Sequence, residues 1–174
     1  MNKHPNNTYD AIIVGAGSIG APSAYFLAQA GLSVLVIDQL PSVGQASNKH
    51  AIGGIRATHS DPAKIALGNR SLEVFSTWKE KHGDNIEWHR GGYTFVAYEE
   101  NHASLLKDLV AYQQNHDLKI TWLDHQELLK VIPNLNPQNL LGGTYSPNDG
   151  SASPLMAAFA FHLRAMETGA VFNF

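Results

Sequence analysis

The apolar positions change rhythm along this chain, and the changes mark its elements. Ala11-Ile-Ile-Val14 and Val34-Leu-Val-Ile37 are short unbroken apolar runs, as in strands buried inside a parallel sheet. A helix is predicted between them, from about Ser18 to Ala30. Pro22 falls near the end of its first turn, where a missing N–H is only just tolerable. Gln39 to Arg56 follows as a long run of small residues without helical period, and such a loop in a compact domain is usually functional. Asp61-Pro62 then reads as an N-cap with proline at the first helical position. The helix behind it carries Ile65, Leu72, Phe75 and Trp78 on one stripe until Gly83 stops it.

The pattern shifts at residue 86. Ile86 to Tyr98, with Gly91-Gly92 inside, predicts a strand or hairpin carrying aromatics. A helix is expected near His102 to His116, burying Leu105, Leu106, Leu109 and Tyr112. Ile120-Thr-Trp-Leu123 predicts a short strand, and Asp124 with Glu127 a capping box that opens a helix closed by Pro133. Gly142-Gly143 leads into the turn-rich Thr144 to Gly150. Ser153-Pro154 opens a last helix running to Gly169, and Ala170 to Phe174 begins another strand. A parallel sheet needs later elements to cover such a strand, so the chain reads as part of a longer protein or as one subunit completed by another.

The chemistry concentrates at the first turn. Gly15-Ala-Gly-Ser-Ile-Gly20 joins the first strand to the first helix, and Asp38 ends the second strand. In this setting Gly15 permits the tight turn, Gly17 lets backbone approach a pyrophosphate, and Gly20 lets the helix pack closely on the sheet. The helix N-terminus turns free N–H groups and a positive dipole end toward that pyrophosphate, and Asp38 stands where a carboxylate accepts hydrogen bonds from a ribose. The plain alternative is a glycine-rich connection that binds nothing. A serine-hydrolase elbow would need glycine in place of Ala16.

Composition narrows the class. At 174 residues, 44% hydrophobic and 16% charged, the chain has the make-up of an ordinary soluble globular protein. Its formal charge of −3 with no basic cluster argues against a nucleic-acid surface. The absence of cysteine excludes disulfides, iron–sulfur clusters and thiolate catalysis within this segment. No run approaches a membrane span, and the polar Met1 to Thr8 lacks an apolar signal region, so a cytoplasmic location is expected. The sequons Asn6-Asn7-Thr8 and Asn69-Arg70-Ser71 are then chance matches. The nine histidines show no metal-ligand spacing, so no metal is assigned. Trp78, Trp88 and Trp122 read as core.

With these pieces in order, the chain resembles the N-terminal portion of the D-amino-acid oxidase / sarcosine oxidase superfamily of FAD-dependent oxidoreductases. Four stretches carry the likeness: Asp10 to Gly20, Ser47-Asn-Lys-His-Ala-Ile-Gly-Gly-Ile-Arg56, Gly91-Gly-Tyr-Thr-Phe95, and Ser146-Pro-Asn-Asp-Gly150 with the following helix and Gly169-Ala-Val-Phe172. The resemblance implies an α/β fold: a Rossmann-like FAD-binding domain with an inserted α+β substrate domain, both incomplete in this chain. The expected segments are 9–85 for the FAD-binding domain, 86–148 for the substrate domain and 149–174 for the return. It further implies that Gly15, Ala16, Gly17, Ser18, Ile19 and Gly20 hold the pyrophosphate, and that Asp38 and Gln39 face the adenosine ribose. Ser47, His50, Ala51, Gly53 and Gly54 would lie along the ribityl chain and flavin ring, where small residues leave backbone N–H groups accessible.

Arg56 follows that loop. In sarcosine-oxidase-like relatives an arginine at the matching place binds the substrate carboxylate, and a planar guanidinium suits that task. The alternative is an arginine paired with a nearby acid or with flavin phosphate. His59 reads as a flavin-pocket acid or base, or more simply as a solvated histidine at a helix entry. The expected activity is FAD-dependent oxidation of a C–N bond of an amino acid or N-methylated amine, with the small amine as partner and no catalytic acid or base assigned. Two rivals stand beside it: an NAD(P)-dependent dehydrogenase, which has no need of the segment from Ser47 to Arg56, and a non-catalytic assembly subunit of a split flavoenzyme.

Overall fold

The computed structural model describes residues 8–174. Met1 to Asn7, with most of the Asn6-Asn7-Thr8 sequon, lie outside the described residues. The element order is β1 (Ala11–Val14), α1 (Gly20–Gln29), β2 (Val34–Ile37), a 3-10 turn (Ser47–His50), β3 (Gly54–Ile55), α2 (Pro62–His82) and β4 (Val96–Ala97). It continues with α3 (Glu100–Gln114), β5 (Thr121–Asp124), α4 (His125–Val131), β6 (Gly142–Tyr145), β7 (Gly150–Ser151), α5 (Pro154–Glu167) and β8 (Val171–Asn173). The fold is α/β, and the chain divides into two units.

The first unit comprises residues up to 53, with 82–87 and 152–174. Its sheet is parallel in the order β1-β2-β8, with Ala11 opposite Val34 and Leu35 opposite Val171. The crossover through the ten-residue α1 returns β2 parallel beside β1. α1 and α5 pack together, with Tyr25 and Phe26 ringed around Phe161 at 5.7 and 6.2 Å. Pro22 costs α1 little. It is the third residue of the helix, where no intrahelical carbonyl awaits its N–H. β1 departs from the expected fully buried strand: Ile12 and Val14 are 60% and 83% exposed, while Val34 and Val36 of β2 are buried. One face of the sheet meets the helices and the other is open among the described residues.

The second unit comprises residues 54–81 and 88–151. β6 is central in an antiparallel sheet ordered β4-β6-β5, and β3 pairs with β7. Its main core gathers Ala57, Ile65, Leu72, Val110, Leu118 and Ile120, with Trp88 and Tyr112 against it. That core explains why the expected segment 9–85 divides. The stripe of α2 buries Ile65 and Leu72 with residues of α3 and the loop before β5, so 54–81 belong to the second unit. A smaller core sits under β4 and α3, made by Ala97, Ala103 and Leu106.

Three further expectations are corrected. Ile86 to Tyr98 is mostly irregular. It reaches its neighbours through bridges at His89 and Tyr93, and only Val96–Ala97 forms a strand, because Glu87 and Gly92 adopt positive φ. α3 turns its face one position from the expected one: Ala103, Leu106, Val110 and Gln113 are buried, and Leu105 is 64% exposed. The last helix stops at Glu167, before Gly169. The capping box at Asp124 forms as expected, with Asp124 accepting from the Gln126 and Glu127 N–H groups at 2.8 and 2.9 Å. No helix among the described residues is long and apolar enough to cross a membrane.

Candidate functional site

The first turn builds a cleft of about 580 Å³ in the first unit. Gly15, Gly17, Ser18, Ile19, Gly20, Asp38 and Ser47 line it. Three glycines of this turn are glycine for three different physical reasons. Gly15 has φ +101°, a conformation that L side chains resist. At Gly20 a Cβ would stand 1.8 Å from the Gly15 carbonyl oxygen, so the helix sits on the turn only because no side chain intervenes. At Gly17 φ is not positive and a Cβ would meet nothing within 4 Å. Neither strain nor protein packing accounts for glycine there. The space belongs to the cleft.

α1 opens onto the same cleft without a cap. Its N-cap is Ile19, 81% exposed, no side chain bonds to its first N–H groups, and no acid occupies its first turn. A helix end left this way is a ready anion site. The turn is held rigid from behind. Gly15 N–H donates to Ile37 O at 2.8 Å, and the buried Ala16 donates to Asp38 Oδ2 at 2.7 Å while its carbonyl accepts from Gly44 N–H at 3.0 Å. Ala16 therefore acts on the turn's geometry and does not line the cleft.

Asp38 does more than end β2. Its second oxygen accepts the Leu40 N–H at 2.9 Å, and these backbone N–H groups, Ala16 first, hold its carboxyl below the usual carboxylate range. Asp38 is thus an anion at neutral pH. Each oxygen keeps a lone-pair direction for a further donor. Gln39 lies with Asp38 on a neighbouring hollow lined by Val14, Gly15 and Ile37.

The loop after β2 returns to the cleft, and here the structure adds residues that the sequence did not single out: Gly44, Gln45, Ala46 and Asn48 line it with Ser47. Asn48 fixes the 3-10 turn by donating from Nδ2 to Pro154 O at 2.9 Å. The signal was faint, a lone Gly44 that takes φ +73°. His50 ends the turn and Ala51 follows it, both exposed, and Gly53 closes on Ala152 by accepting its N–H at 3.0 Å.

Gly54 and Arg56 lie in the second unit. The Arg56 guanidinium carbon is 5.5 Å from the centre of the Tyr93 ring and 5.3 Å from that of Phe95. Nη1 donates to Thr58 O at 2.6 Å. Among the described residues Arg56 takes part in no ion pair within 4 Å, although its charge is felt by the buried Asp149. Two ring faces, one carbonyl and free N–H edges describe a cation held in place and available to an anion. His59 is half-buried. Burial first, then the Arg56 and Lys64 charges, keeps its pKa below the usual histidine value. The shift favours the neutral imidazole. Among the described residues no group of three His, Asp or Glu is placed to hold a metal.

Comparison with known proteins places this geometry. The sequence profile described as FAD dependent oxidoreductase (DAO) matches residues 10–174. Monomeric sarcosine oxidase from Streptomyces avermitilis is 27% identical over 172 residues, 96% of this chain and 43% of that protein. Among solved structures, L-proline dehydrogenase from P. horikoshii superposes with a TM-score of 0.87 at 27% identity, covering 92% of this chain and 42% of its own. Glycine oxidase from Geobacillus kaustophilus gives 0.82 at 26% identity, covering 95% and 46%. The chain spans less than half the length of each.

Proposed function

The chain belongs to the FAD dependent oxidoreductase family, and from that membership we propose that the complete protein oxidises the C–N bond of an amino acid or N-methylated amine. FAD is the family's cofactor, which sets the nicotinamide alternative aside. The residues on the page fit it: the space at Gly17, the uncapped end of α1 and the anionic Asp38 suit a pyrophosphate and a ribose in turn. Gly15, Gly17, Ser18, Ile19 and Gly20 would hold the pyrophosphate with Ala16 bracing the turn behind them, Asp38 and Gln39 would hold the adenosine ribose, and Ser47, His50, Ala51, Gly53 and Gly54 the rest of the cofactor. When bound, the flavin supplies the hydride acceptor for a carbon bearing the amine nitrogen.

The observation that carries the substrate reading is Arg56. A guanidinium lying over the Tyr93 and Phe95 rings, in no direct ion pair among the described residues, favours a carboxylate-bearing amine over a simple one. Arg56 would orient that substrate by its carboxylate.

The test uses the full-length protein. It should purify with flavin absorbance bands, and anaerobic addition of sarcosine, glycine or L-proline should bleach them for at least one. Amines lacking the carboxylate should bleach them far more slowly. A colourless protein, or one reduced equally well by amines without a carboxylate, overturns the reading.

A further inference from the structure

Asp149 is the most deeply buried acid of the second unit, with no exposed surface, and it stands one step beyond the β3–β7 ladder. The register pairs Gly54 with Ser151 and Ile55 with Gly150, so its continuation sets Asp149 opposite Arg56. There the ladder changes character. Asp149 Oδ1 accepts the Ala57 N–H at 3.2 Å, so a side chain replaces the backbone carbonyl that would otherwise continue the pairing. Its main-chain carbonyl turns the other way and accepts the Gly92 N–H at 2.9 Å. One residue therefore ties the segment that carries Arg56 to the segment that carries Tyr93.

Resting on the reading of Arg56 as a carboxylate anchor, we infer that Asp149 is the positioning residue that holds Arg56-Ala57-Thr58 so that the guanidinium lies against Tyr93 and Phe95 with its N–H edges free. Three observations support it. Arg56 Nη1 bonds to the carbonyl of Thr58, one residue past the amide that Asp149 grips, so the guanidinium takes its placement from the same backbone. Ser146 and Thr58, both buried, bring their hydroxyls to the buried carboxyl. A buried acid held at such cost is not there for packing alone. Burial raises the Asp149 carboxyl above the usual carboxylate range, an effect opposed by the Ala57 N–H, the Ser146 and Thr58 hydroxyls and the Arg56 charge. Arginine and aspartate are thus electrostatically coupled although they form no ion pair.

Asp149→Ala removes the acceptor. Asp149→Ser keeps a hydroxyl in the polar pocket but is too short to reach the Ala57 N–H. Asp149→Asn keeps an acceptor at Oδ1 and serves as the rescue. Each is made in the full-length, FAD-loaded protein, alone and with Arg56→Ala, and acetate serves as the carboxylate probe. Its Kd is read from the flavin spectrum, beside FAD content and thermal midpoint. Asp149→Ala and Asp149→Ser should weaken acetate by about tenfold or more, since a shift of about 1 Å in an anchor is felt strongly. Asp149→Asn should recover most of the affinity. In the Arg56→Ala background the Asp149 changes should alter it by less than about twofold.

Equal losses in both backgrounds would show that Asp149 merely supports the fold and would overturn the inference. So would acetate binding that survives Asp149→Ser while Arg56→Ala abolishes it. If Arg56→Ala itself leaves acetate affinity unchanged, the anchor reading fails first, and this inference with it. Should Asp149→Ala not fold, the serine and asparagine variants decide the matter by the same comparison.

Discussion

Alanine at Gly17 and alanine at Gly20 should separate cofactor binding from folding. At Gly20 the new Cβ would lie 1.8 Å from a main-chain carbonyl oxygen, more than 1 Å inside any tolerable contact. That oxygen belongs to the backbone of the turn and cannot rotate away as a side chain does. Either α1 retreats from the turn or the turn reshapes, at a cost of about 1–3 kcal/mol or more. The gain of about 1 kcal/mol from replacing glycine by alanine in a helix offsets only part of it. At Gly17 the Cβ meets nothing and φ is ordinary, so the apo-protein should change by no more than about 0.5 kcal/mol.

The order reverses for the cofactor. Gly17→Ala places a methyl group in the cleft at the approach to the uncapped helix end, and FAD affinity should fall by at least ~30-fold, about 2 kcal/mol. The assay strips FAD from the full-length protein, records thermal unfolding of each apo variant, and then titrates FAD back by flavin fluorescence. Gly20→Ala should melt several degrees low, Gly17→Ala at the wild-type temperature. If apo Gly17→Ala melts as low as Gly20→Ala, the glycine is a folding residue. If it binds FAD normally, the cleft is not where the pyrophosphate goes.

Arg56→Ala should lower kcat/KM for a carboxylate-bearing amine by ~30- to 1000-fold, on the order of 2–4 kcal/mol, with FAD content near normal. Arg56→Lys should recover only part, because an ammonium keeps the contact with the Tyr93 and Phe95 rings but not the planar fork; loss of flavin in either variant would instead make Arg56 a cofactor residue. Burial among Phe159, Phe172 and Phe174 keeps the His162 pKa below its ordinary 6.5. The unfolded chain therefore takes up the proton first, and the stability due to neutral His162 is full above about pH 6.5 and is lost as pH falls through the lower folded value. His162→Phe, which also removes an unpartnered buried Nδ1, should match or exceed wild-type stability at pH 7 and lead by more at pH 5.5, in denaturant titrations; a constant difference between the two pH values would show that His162 does not titrate on unfolding. Asp124→Ala dissolves the capping box and should cost about 0.5–2 kcal/mol in the same measurement without touching FAD affinity.

What could be read in the sequence is what neighbouring residues decide among themselves. The capping box of α4 spans four residues, the proline start of α5 two, and the glycine turn six. Each signal lies within the reach of its own hydrogen bonds, so each is legible. The face of α3 failed because its heptad carries leucine on both sides of the buried line. Leu105 and Leu106 look alike in sequence, and the choice between them is made by β6 and the Ala97 cluster. Gln113 is buried among apolar residues because its Nε2 finds the His59 carbonyl, 54 residues away. The candidate site divides the same way. The spacing of Gly15, Gly17 and Gly20 announces a turn, and the acid at Asp38 can be seen. Its bond to Ala16, across 22 residues, cannot, and that bond makes it a brace for the turn as well as an anion. Arg56 was visible through its place after the small-residue loop, whereas the carboxyl that grips the next amide lies 92 residues further on. Sequence distance therefore marks what a local pattern hides: the candidate chemical groups sit in local motifs, and the groups that hold them in position, Asp38 for the turn and Asp149 for the Arg56 segment, come from segments 22 and 92 residues away.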